Sequence, residues 1–310
     1  MILRPFALLV AASFPGLRPP DSFLLPMPVS EPRLQGAVAH QAPSQALTAR
    51  AVIERIQKQV GVPWRAETVD TFKAGDPDTI ITGVATTMMA TYDVLQRAAA
   101  EGKNPVISHE PVFYSHLDST TGLAAENDKV WAEKDKFIRE HKMVVWRFHD
   151  HWHMRQPDGI MFGVTRKLGW TAYQDEKSKG LFTVPKKSVR DLAAEIQTKL
   201  GPTALRVVGP ADLQVRRVAL APGAGGSAGH LKALRRDDVD VLVIGEVPEW
   251  ETIEYVADAA AQGKKKALIL IGHIESEQPG MEFGAEWLKG FVKEVPVGFV
   301  AAKDPFWQVR

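Results

Sequence analysis

The chain has 310 residues, of which 45% are hydrophobic and 24% charged, so it has enough apolar side chains for one large core or two moderate ones. Its 38 basic and 37 acidic residues leave a formal net charge of +1, which gives no electrostatic reason to expect a nucleic-acid partner. The absence of cysteine excludes disulfides, thiolate metal sites and cysteine nucleophiles, and leaves histidines and carboxylates as the strong metal ligands.

Residues 1–39 differ in composition from the rest of the chain. An apolar run begins at Phe6, but five prolines follow within residues 15–28, so the segment predicts no membrane anchor. Ala37-Val38-Ala39 matches the small-residue pattern of a signal-peptidase site, with a mature chain starting near His40. A cleaved signal peptide would make the protein periplasmic or secreted. The alternatives are a disordered leader or a start codon assigned too far upstream, and then the protein is expected in the cytoplasm.

From about residue 45 onward, predicted helices and strands alternate, which favours mainly parallel sheets flanked by helices. Helices are predicted at residues 46–60, 87–100, 126–141, 189–200, 228–236 and 250–262. Strands are predicted at residues 79–84, 105–108, 143–148, 215–220, 239–244 and 267–271.

The predicted fold class is α/β, with two α/β lobes that divide near Gly180. The N-terminal lobe would span residues 40–180 and the C-terminal lobe residues 181–310, with a metal site between them. Residues 201–215 have no assigned place in this scheme.

Six of the nine histidines lie in three clusters, each placed just after a predicted strand. In parallel α/β sheets the carboxyl ends of the strands form the crevice where ligands bind. Side chains that directly follow several strands are therefore expected to converge there, however far apart they lie in the sequence.

The first cluster is His109-Glu110, with His116 and Asp118 a little further along. Adjacent side chains point in different directions in an extended chain, so His109 and Glu110 could serve two metal ions from one place. The alternative is a surface turn, because exposed His and Glu side chains are ordinary. His116 and Asp118 are predicted to be solvated loop residues.

The second cluster is His149-Asp150-His151-Trp152-His153. If the preceding strand continues through it, the three imidazoles lie on one face, and neutral imidazole is a good ligand for zinc, iron or nickel. This pattern favours metal binding over three separately satisfied structural histidines. Asp150 would point to the other side, either as the acceptor that orients a ligand imidazole or as a solvated carboxylate.

The third cluster contains His273, Glu275 and Glu277. Pro279 suits the first turn of a following helix, which would place His273 and Glu277 in the connection between strand and helix. A carboxylate four residues from a histidine can share a metal ion with it. The alternative is an acidic turn that stabilises a helix N-terminus without any ligand.

The glycine-rich residues 223–229 follow a predicted strand and precede a predicted helix. Backbone N–H groups ahead of a helix attract phosphate, but the Walker spacing with a lysine is absent. A tight turn between strand and helix is the favoured interpretation.

Three motifs resemble those of the Nif-three-like dinuclear metal proteins, a family also labelled GTP cyclohydrolase I type 2. They are residues 109–113 (HEPVF), 149–153 (HDHWH) and 272–280 (GHIESEQPG). The resemblance runs from about Thr79 to residues 304–306, and it includes the glycine-rich loop and Gly245-Glu246-Val247. It implies a Nif-three-like fold, two divalent metal ions and a homohexamer, shaped as a ring of trimer pairs.

Carried over position by position, the resemblance implies these metal ligands: His109, Glu110, His153, His273 and Glu277. Glu277 would bridge the two ions. His149, from the second cluster, is a further candidate ligand. The ligand types suit zinc, iron, manganese or nickel and do not choose among them.

The chain departs from the family pattern at three places. Glu110 stands where the family usually has a second His, and His153 stands where it has a ligand Asp; both replacements can bind metal. The family's Gly-Asp motif with a nearby His reads Gly245-Glu246 and Trp250, and the usual N-terminal Trp-Asp-Asn stretch is not recognisable. These departures bear on substrate specificity more than on the metal site.

The function predicted from these residues is metal-dependent hydrolysis of a small molecule, either nucleotide-like or a cyclic amide or imine. Two ions about 3.5–4 Å apart would generate hydroxide near neutral pH, and Glu110 or Glu275 would move protons. The expected partners are this substrate and other copies of the chain, with no nucleic acid and no membrane. One alternative is a metal-binding scaffold or regulatory protein without catalysis. Another, a metallo-β-lactamase-fold hydrolase, is disfavoured because residues 149–153 lack the Asp-His pair of its motif.

Overall fold

The computed structural model describes residues 46–309 of the chain. This part contains ten strands and ten α-helices. The strands are β1 (Phe72–Ala74), β2 (Val84–Thr87), β3 (Pro105–Ser108), β4 (Val144–Arg147), β5 (Leu181–Ser188), β6 (Arg206–Val208), β7 (Gln214–Ala221), β8 (Val241–Ile244), β9 (Ala267–Leu270) and β10 (Val297–Phe299). The helices are α1 (Ala49–Gln59), α2 (Tyr92–Ala100), α3 (Thr121–Ala125), α4 (Lys129–Glu140), α5 (Asp150–Met154), α6 (Gly159–Leu168), α7 (Val189–Leu200), α8 (Ser227–Leu234), α9 (Glu254–Ala261) and α10 (His273–Leu288). A 3₁₀ turn, Thr171–Tyr173, and a π-helical turn, Glu249–Ile253, complete the secondary structure.

The strands form two five-stranded sheets, with the orders β1-β4-β3-β2-β10 and β5-β7-β8-β9-β6. In the first sheet only the edge strand β1 is antiparallel to its neighbour. In the second sheet both edge strands, β5 and β6, are antiparallel, and the central three strands are parallel. These mainly parallel sheets flanked by helices confirm the predicted α/β fold class.

The central strands are buried on both faces, as expected for parallel strands covered by helices. In the first sheet, Ile107 faces a core that includes Ile56 of α1, whereas the next residue back, Val106, faces a core that includes Leu95 of α2. This alternation follows from the two-residue period of a strand. The second sheet likewise has one core against α7 and another against α8 and α9.

Helices α6 and α10 cross closely because glycines stand at the contact. A Cβ atom on Gly163 would lie 2.3 Å from the carbonyl oxygen of Pro279, and a Cβ on Gly280 would lie 2.5 Å from the Cα of Ile160. Only glycine allows the two backbones to approach this closely. The crossing fixes the position of α10, whose first residues belong to the candidate site.

The structure corrects two predicted boundaries near the start of the first sheet. The strand predicted at residues 79–84 is wrong, because β2 begins only at its last residue and Ile80 forms a single bridge with Thr48. The helix predicted at residues 87–100 begins later, at Tyr92, because Thr87 is the last residue of β2 and the Thr91 side chain caps the helix by accepting from the Val94 N–H.

The prediction for Pro279 is also wrong. Helix α10 begins at His273, so Pro279 lies inside it rather than in its first turn. His273 and Glu277 are consequently residues of the helix itself, one turn apart, and not part of a connecting loop. Several elements were not predicted from the sequence at all: β1, β5, β6, β10, α3 and α6.

The division into lobes at residue 180 stays a prediction. The two sheets do not divide the chain at a single point. Strand β10 comes last in the chain but pairs with β2 in the first sheet. The predicted leader, residues 1–39, lies outside the described residues. Between residues 46 and 309, no helix combines the length and apolar character needed to cross a bilayer.

Candidate metal centre

His109 and Glu110 directly follow β3, at the carboxyl end of the parallel strands. The His109 N–H donates to the Thr87 carbonyl at 3.1 Å, and the Glu110 N–H donates to the Met88 carbonyl at 2.8 Å. These bonds continue the pairing of β3 with β2 beyond the last paired strand residues. The backbone is therefore fixed at both positions, and both side chains are buried.

Residues 150–154 form helix α5, with His149 directly before it, so the prediction that the strand continues through this segment is wrong. Asp70 explains the difference, because its carboxylate accepts from the backbone N–H groups of His149, Asp150 and His151 at 2.6–3.0 Å. A carboxylate at this place satisfies the free N–H groups at the start of a helix. His149 and His153 lie one turn apart, and the His153 N–H donates to the His149 carbonyl at 3.0 Å.

His151 points away from the other two histidines and has a structural role. Its Nδ1 lies 2.6 Å from an oxygen of Asp70, and its Nε2 accepts from the Arg65 N–H at 3.0 Å. The ring stacks on Trp64 with the centroids 3.6 Å apart. Both ring nitrogens are occupied, so His151 has no lone pair to offer a metal ion.

Helix α10 brings His273 and Glu277 to the same place. The Nε2 of His273 lies 3.1 Å from Oε2 of Glu277. Gly223, in the loop that joins β7 to α8, has a φ of +73° and packs directly against them. A Cβ atom on Gly223 would lie 2.2 Å from Oε1 of Glu277 and 3.4 Å from Nε2 of His273. The glycine-rich segment thus forms the turn favoured from the sequence, and one of its glycines leaves room for the site.

Three imidazoles share one hydrogen-bonding pattern in which Nδ1 contacts an oxygen outside the centre. The pairs are His109 with the Phe148 carbonyl at 3.0 Å, His149 with Asp150 at 2.9 Å, and His153 with Asp158 at 2.9 Å. An acceptor at Nδ1 fixes the tautomer that carries its proton there and leaves the Nε2 lone pair free. Metal-binding histidines characteristically show this arrangement. The contact between His149 and Asp150 matches one of the two roles considered for that aspartate.

The inward-facing atoms form two groups that could each hold a metal ion, and both groups include His109. One consists of His109, His149 and His153, and the other of His109, Glu110 and Glu277, with the ligand atoms of each group within 4.8 Å of one another. His273 adjoins the second group, since its Nε2 lies 3.6 Å from Oε1 of Glu110. The structure therefore brings all six predicted ligands together.

Two imidazoles of the centre differ in charge, because His109 is neutral and His273 is protonated beside carboxylates. Burial lowers the pKa of His109 to about 4, which leaves its ring neutral near pH 7. Burial also opposes the charged form of His273, but its contacts with Glu110, Glu246 and Glu277 outweigh that effect and raise its pKa to about 12. The carboxylates thus favour a positive charge at this place.

The buried side chain of Arg147 holds Glu110 in position. Its Nη2 lies 3.3 Å from Oε2 of Glu110, its Nε donates to the His109 carbonyl at 3.1 Å, and the whole side chain is buried. Although burial would raise the pKa of Glu110, interactions with His273 and other histidines lower it to about 2. The Glu110 carboxylate therefore stays ionised and presents Oε1 to the centre.

Asp118 is not the solvated loop residue that was predicted. Its side chain is buried, and it accepts from the N–H groups of Val112 and Phe113 and lies 3.4 Å from Nζ of Lys73. It supports the loop after Glu110. His116, in contrast, is exposed as predicted.

Glu275 lies beside the centre without belonging to either group of ligand atoms. It is buried, and burial raises its pKa to about 7. Its carboxyl group lines a cleft that also borders His273. A catalytic role for Glu275 stays a prediction.

The residues present fit a divalent cation. Imidazole nitrogens and carboxylate oxygens are ligands for zinc and related metals. The Nε2 atom of His109 is buried without a hydrogen-bond partner among residues 46–309, an arrangement that is costly unless a ligand satisfies it. The sequence did not indicate the roles of Asp70, Asp158 and Arg147, because each contacts its partner side chain only in the folded chain. Only Asp158 had a local signal, since an Asp followed by Gly159 after a proline is typical of a helix start.

The family model for Duf34/NIF3 (NGG1p interacting factor 3) matches residues 49–305, which include every side chain of the centre. The chain belongs to the Duf34/NIF3 family. This confirms the family resemblance found in the three histidine motifs. No curated protein matches this NIF3-family chain.

Solved structures share the fold of this NIF3-family chain at low sequence identity. The hypothetical protein SA1388 of Staphylococcus aureus is 19% identical, with a TM-score of 0.63, over 86% of this chain and 100% of that one. A Bacillus cereus protein related to NIF3 is 14% identical, with a TM-score of 0.66, over 86% and 100% of the two chains. Reduced HcgD from Methanocaldococcus jannaschii is 15% identical, with a TM-score of 0.59, over 82% and 97%. These similarities support the fold and leave the chemistry to be argued from the site.

Proposed function

We propose that this NIF3-family protein is a hydrolase that depends on two divalent metal ions held among His109, Glu110, His149, His153, His273 and Glu277. The observation that carries the proposal is the convergence of four imidazole Nε2 atoms on two buried carboxylates. Each of the four has an oxygen near its Nδ1, and for His273 this oxygen belongs to Glu246 at 3.5 Å. Such a set is expensive to bury without a cation to satisfy it.

Two groups of ligand atoms support the proposal of two ions. A single imidazole nitrogen binds one ion, so the two groups that share His109 need a further ligand if both are filled. His273 supplies one beside Glu110 and Glu277, and Glu277 has a second oxygen with which it can bridge. The distance of 3.6 Å between Nε2 of His109 and Oε2 of Glu277 leaves room for an ion between these atoms.

When bound, divalent ions supply Lewis acidity that lowers the pKa of water and polarises a carbonyl, imine or phosphoryl oxygen. We assign proton transfer to Glu110, because Arg147 binds its Oε2 while its Oε1 lies 3.5 Å from Nε2 of His149. The neighbouring histidines, His273 first, keep the carboxylate ionised, and an ionised carboxylate can accept a proton from an attacking water. Asp150 and Asp158 hold the rings of His149 and His153 so that their Nε2 atoms stay directed inward.

The test combines metal analysis with a screen for hydrolysis. The purified full chain is stripped with a chelator, reloaded with zinc, manganese, iron or nickel, and assayed against nucleotide, phosphoester and cyclic amide panels. The double variant His273→Gln/Glu277→Gln should lose most bound metal and all metal-dependent turnover while it stays folded. His141→Gln, which changes an exposed histidine on α4's carboxyl end, is the matched control and should behave like the unmodified protein. Full turnover by the metal-free double variant would refute the proposal.

A second function, storage or delivery of metal without catalysis, is favoured by one observation. His109 and Glu277 are almost completely buried, so part of the site is enclosed by protein. Tight metal binding without turnover of any panel member would favour this function, whereas metal-dependent turnover would favour the hydrolase.

A further inference from the structure

A cleft of about 920 Å³ opens beside His273, and its lining includes His273 but neither His149 nor His153. Its walls come from the carboxyl end of β9, the segment that follows β8, and residues 304–307 near the end of the chain. The cleft is large enough for a small-molecule ligand and borders the candidate centre at His273. Its chemistry therefore bears on the substrate.

Carboxyl groups dominate the charge of this cleft. Glu246, Glu249, Glu275 and Asp304 line it, and Arg206 is the lining residue of opposite permanent charge. Arg206 is already paired with Glu249 at 2.5 Å. Of the three remaining carboxyl groups, Glu246 lies 3.5 Å from Nδ1 of His273, whereas no Lys or Arg among the lining residues pairs with Glu275 or Asp304.

Glu275 is the most buried of these groups, and no other residue in the described range 46–309 donates a hydrogen bond to its carboxyl group. It is 4% exposed, and its own backbone N–H is the hydrogen-bond donor that acts on its carboxyl group. A Cβ atom on Gly272 would lie 2.5 Å from Oε2 of Glu275, so the carboxyl group sits directly over a glycine backbone. A buried acceptor of this kind is unfavourable until a donor arrives, which is the position of a group that binds a ligand.

Asp304 also lines the cleft and is held by two hydrogen bonds. One of its oxygens accepts from the Thr203 N–H at 2.8 Å and the other from the Phe306 N–H at 2.9 Å. These two bonds anchor the terminal segment at the cleft. The Asp304 carboxyl group therefore has a fixed place in the lining of the cleft.

Two aromatic rings complete the cleft next to Asp304. Phe306 is 65% exposed and Trp307 is 76% exposed, and both line the cleft. Large aromatic side chains are costly to leave in water, and their faces attract cations and flat rings. Aromatic faces beside unpaired carboxyl groups are the chemistry by which proteins recognise organic cations.

We infer that this cleft binds the positively charged amine or amidine end of the substrate, while the bond to be cleaved lies at the candidate metal centre. That the bound ligand is the substrate rests on the proposed function. Carboxyl groups accept the N–H donors of such a ligand, and Trp307 covers its flat or cationic part. A polyphosphate chain in the same cleft would meet like charges, which disfavours nucleoside triphosphates as substrates.

The experiment measures the binding of benzamidine, benzamide and benzoate to the full chain by calorimetry, in metal-free and zinc-loaded protein. The three probes share one ring and differ in charge. Benzamidine should bind both forms more tightly than benzamide, and metal-free protein should not bind benzoate measurably. Raising the salt concentration should weaken benzamidine binding, because the attraction is between charges.

Two variants assign the binding to this cleft. Glu275→Gln should weaken benzamidine binding by about tenfold or more, the effect expected for loss of a charge-assisted hydrogen bond. Trp307→Ala should weaken it about threefold to tenfold through loss of the aromatic face, and this exposed residue can be changed without unfolding the chain. Val309→Ala, at an exposed position beyond the lining, is the matched control and should not change binding.

The outcome is separable from that of the proposed function, because metal content and hydrolysis are measured in the same preparations. Selective benzamidine binding that depends on Glu275 and Trp307 supports the inference even if the protein hydrolyses nothing. Equal binding of benzamidine and benzamide, or benzamidine binding that neither variant weakens, would overturn it.

Discussion

Replacing Gly223 by alanine tests whether Glu277 binds metal, because the added methyl group collides with that side chain. The new Cβ would lie 2.2 Å from Oε1 of Glu277 and 2.8 Å from its Cδ. Ordinary contacts require roughly 3.5 Å, so the oxygen must move by about 1.3 Å. Metal-ligand distances tolerate a change of only about 0.2 Å. If Glu277 binds a metal ion as proposed, the displaced carboxylate would leave its coordination sphere.

We expect Gly223→Ala to weaken metal binding by at least roughly 10–100-fold, the cost of disturbing even an outer partner of a metal ligand. The variant also places alanine at a φ of +73°, which costs about 1–2 kcal/mol of stability whether or not metal is involved. Gly201→Ala separates the two effects. Gly201 has a φ of +77°, and a Cβ there would meet nothing within 4 Å.

The assay determines the zinc affinity of both variants by competition with a chromophoric chelator, and their stability by urea denaturation. Both variants should lose similar stability when metal-free, and only Gly223→Ala should lose affinity. Unchanged zinc affinity in Gly223→Ala would show that Glu277 is not a ligand in the arrangement described.

Three further predictions concern the surroundings of the centre. Asp158→Asn should weaken zinc binding about 10–100-fold in the same competition assay, since the amide is a poorer partner for the Nδ1–H of His153. Arg147→Met should destabilise the protein by about 3–5 kcal/mol in urea denaturation, because it leaves Glu110 buried beside an uncharged side chain. Burial lowers the pKa of His230, so this residue contributes a loss of stability as the pH falls below about 6.5. His230→Gln should therefore reduce the loss of unfolding free energy that the metal-free protein shows between pH 7.5 and pH 5.

Each of these predictions has a control variant or an outcome that would contradict it. Asn at position 158 can still accept the helix-capping bonds from the Ile160 and Met161 N–H groups, and Asp128→Asn changes a capping aspartate far from the centre. Equal zinc affinity in the two aspartate variants would contradict a role of Asp158 at the metal. A stability loss below about 1 kcal/mol for Arg147→Met would contradict the buried ion pair. An unchanged acid loss in His230→Gln would contradict its titration.

Local sequence patterns predicted those strands and helices whose own residues and immediate neighbours mark where they begin and end. The strand Pro105–Ser108 has the predicted bounds, because its short apolar run ends at a polar pair. The helix Val189–Leu200 also has the predicted bounds, because Ser188 caps its start and Gly201 ends it. Placing the polar clusters after strands was enough to bring His109 and His273 together, since parallel strands end at a common edge.

The errors arise where a distant residue decides the local structure. Three histidines at alternate positions read as a strand, yet Asp70, some eighty residues earlier, satisfies three N–H groups and starts a helix there. The same aspartate binds His151 and removes it from the candidate ligands. Arg147 ends an apolar strand, and nothing near it in sequence indicates that it supports Glu110.

The central claim is that side chains from three separate segments hold cations around Nε2 of His109. A crystal structure of the zinc-loaded protein, with anomalous scattering measured at the zinc edge, tests it most directly. We expect two peaks about 3.5–4 Å apart, with one of them about 2.0–2.1 Å from Nε2 of His109 and the other near His273. Zinc bound elsewhere, with no peak at His109, would contradict it.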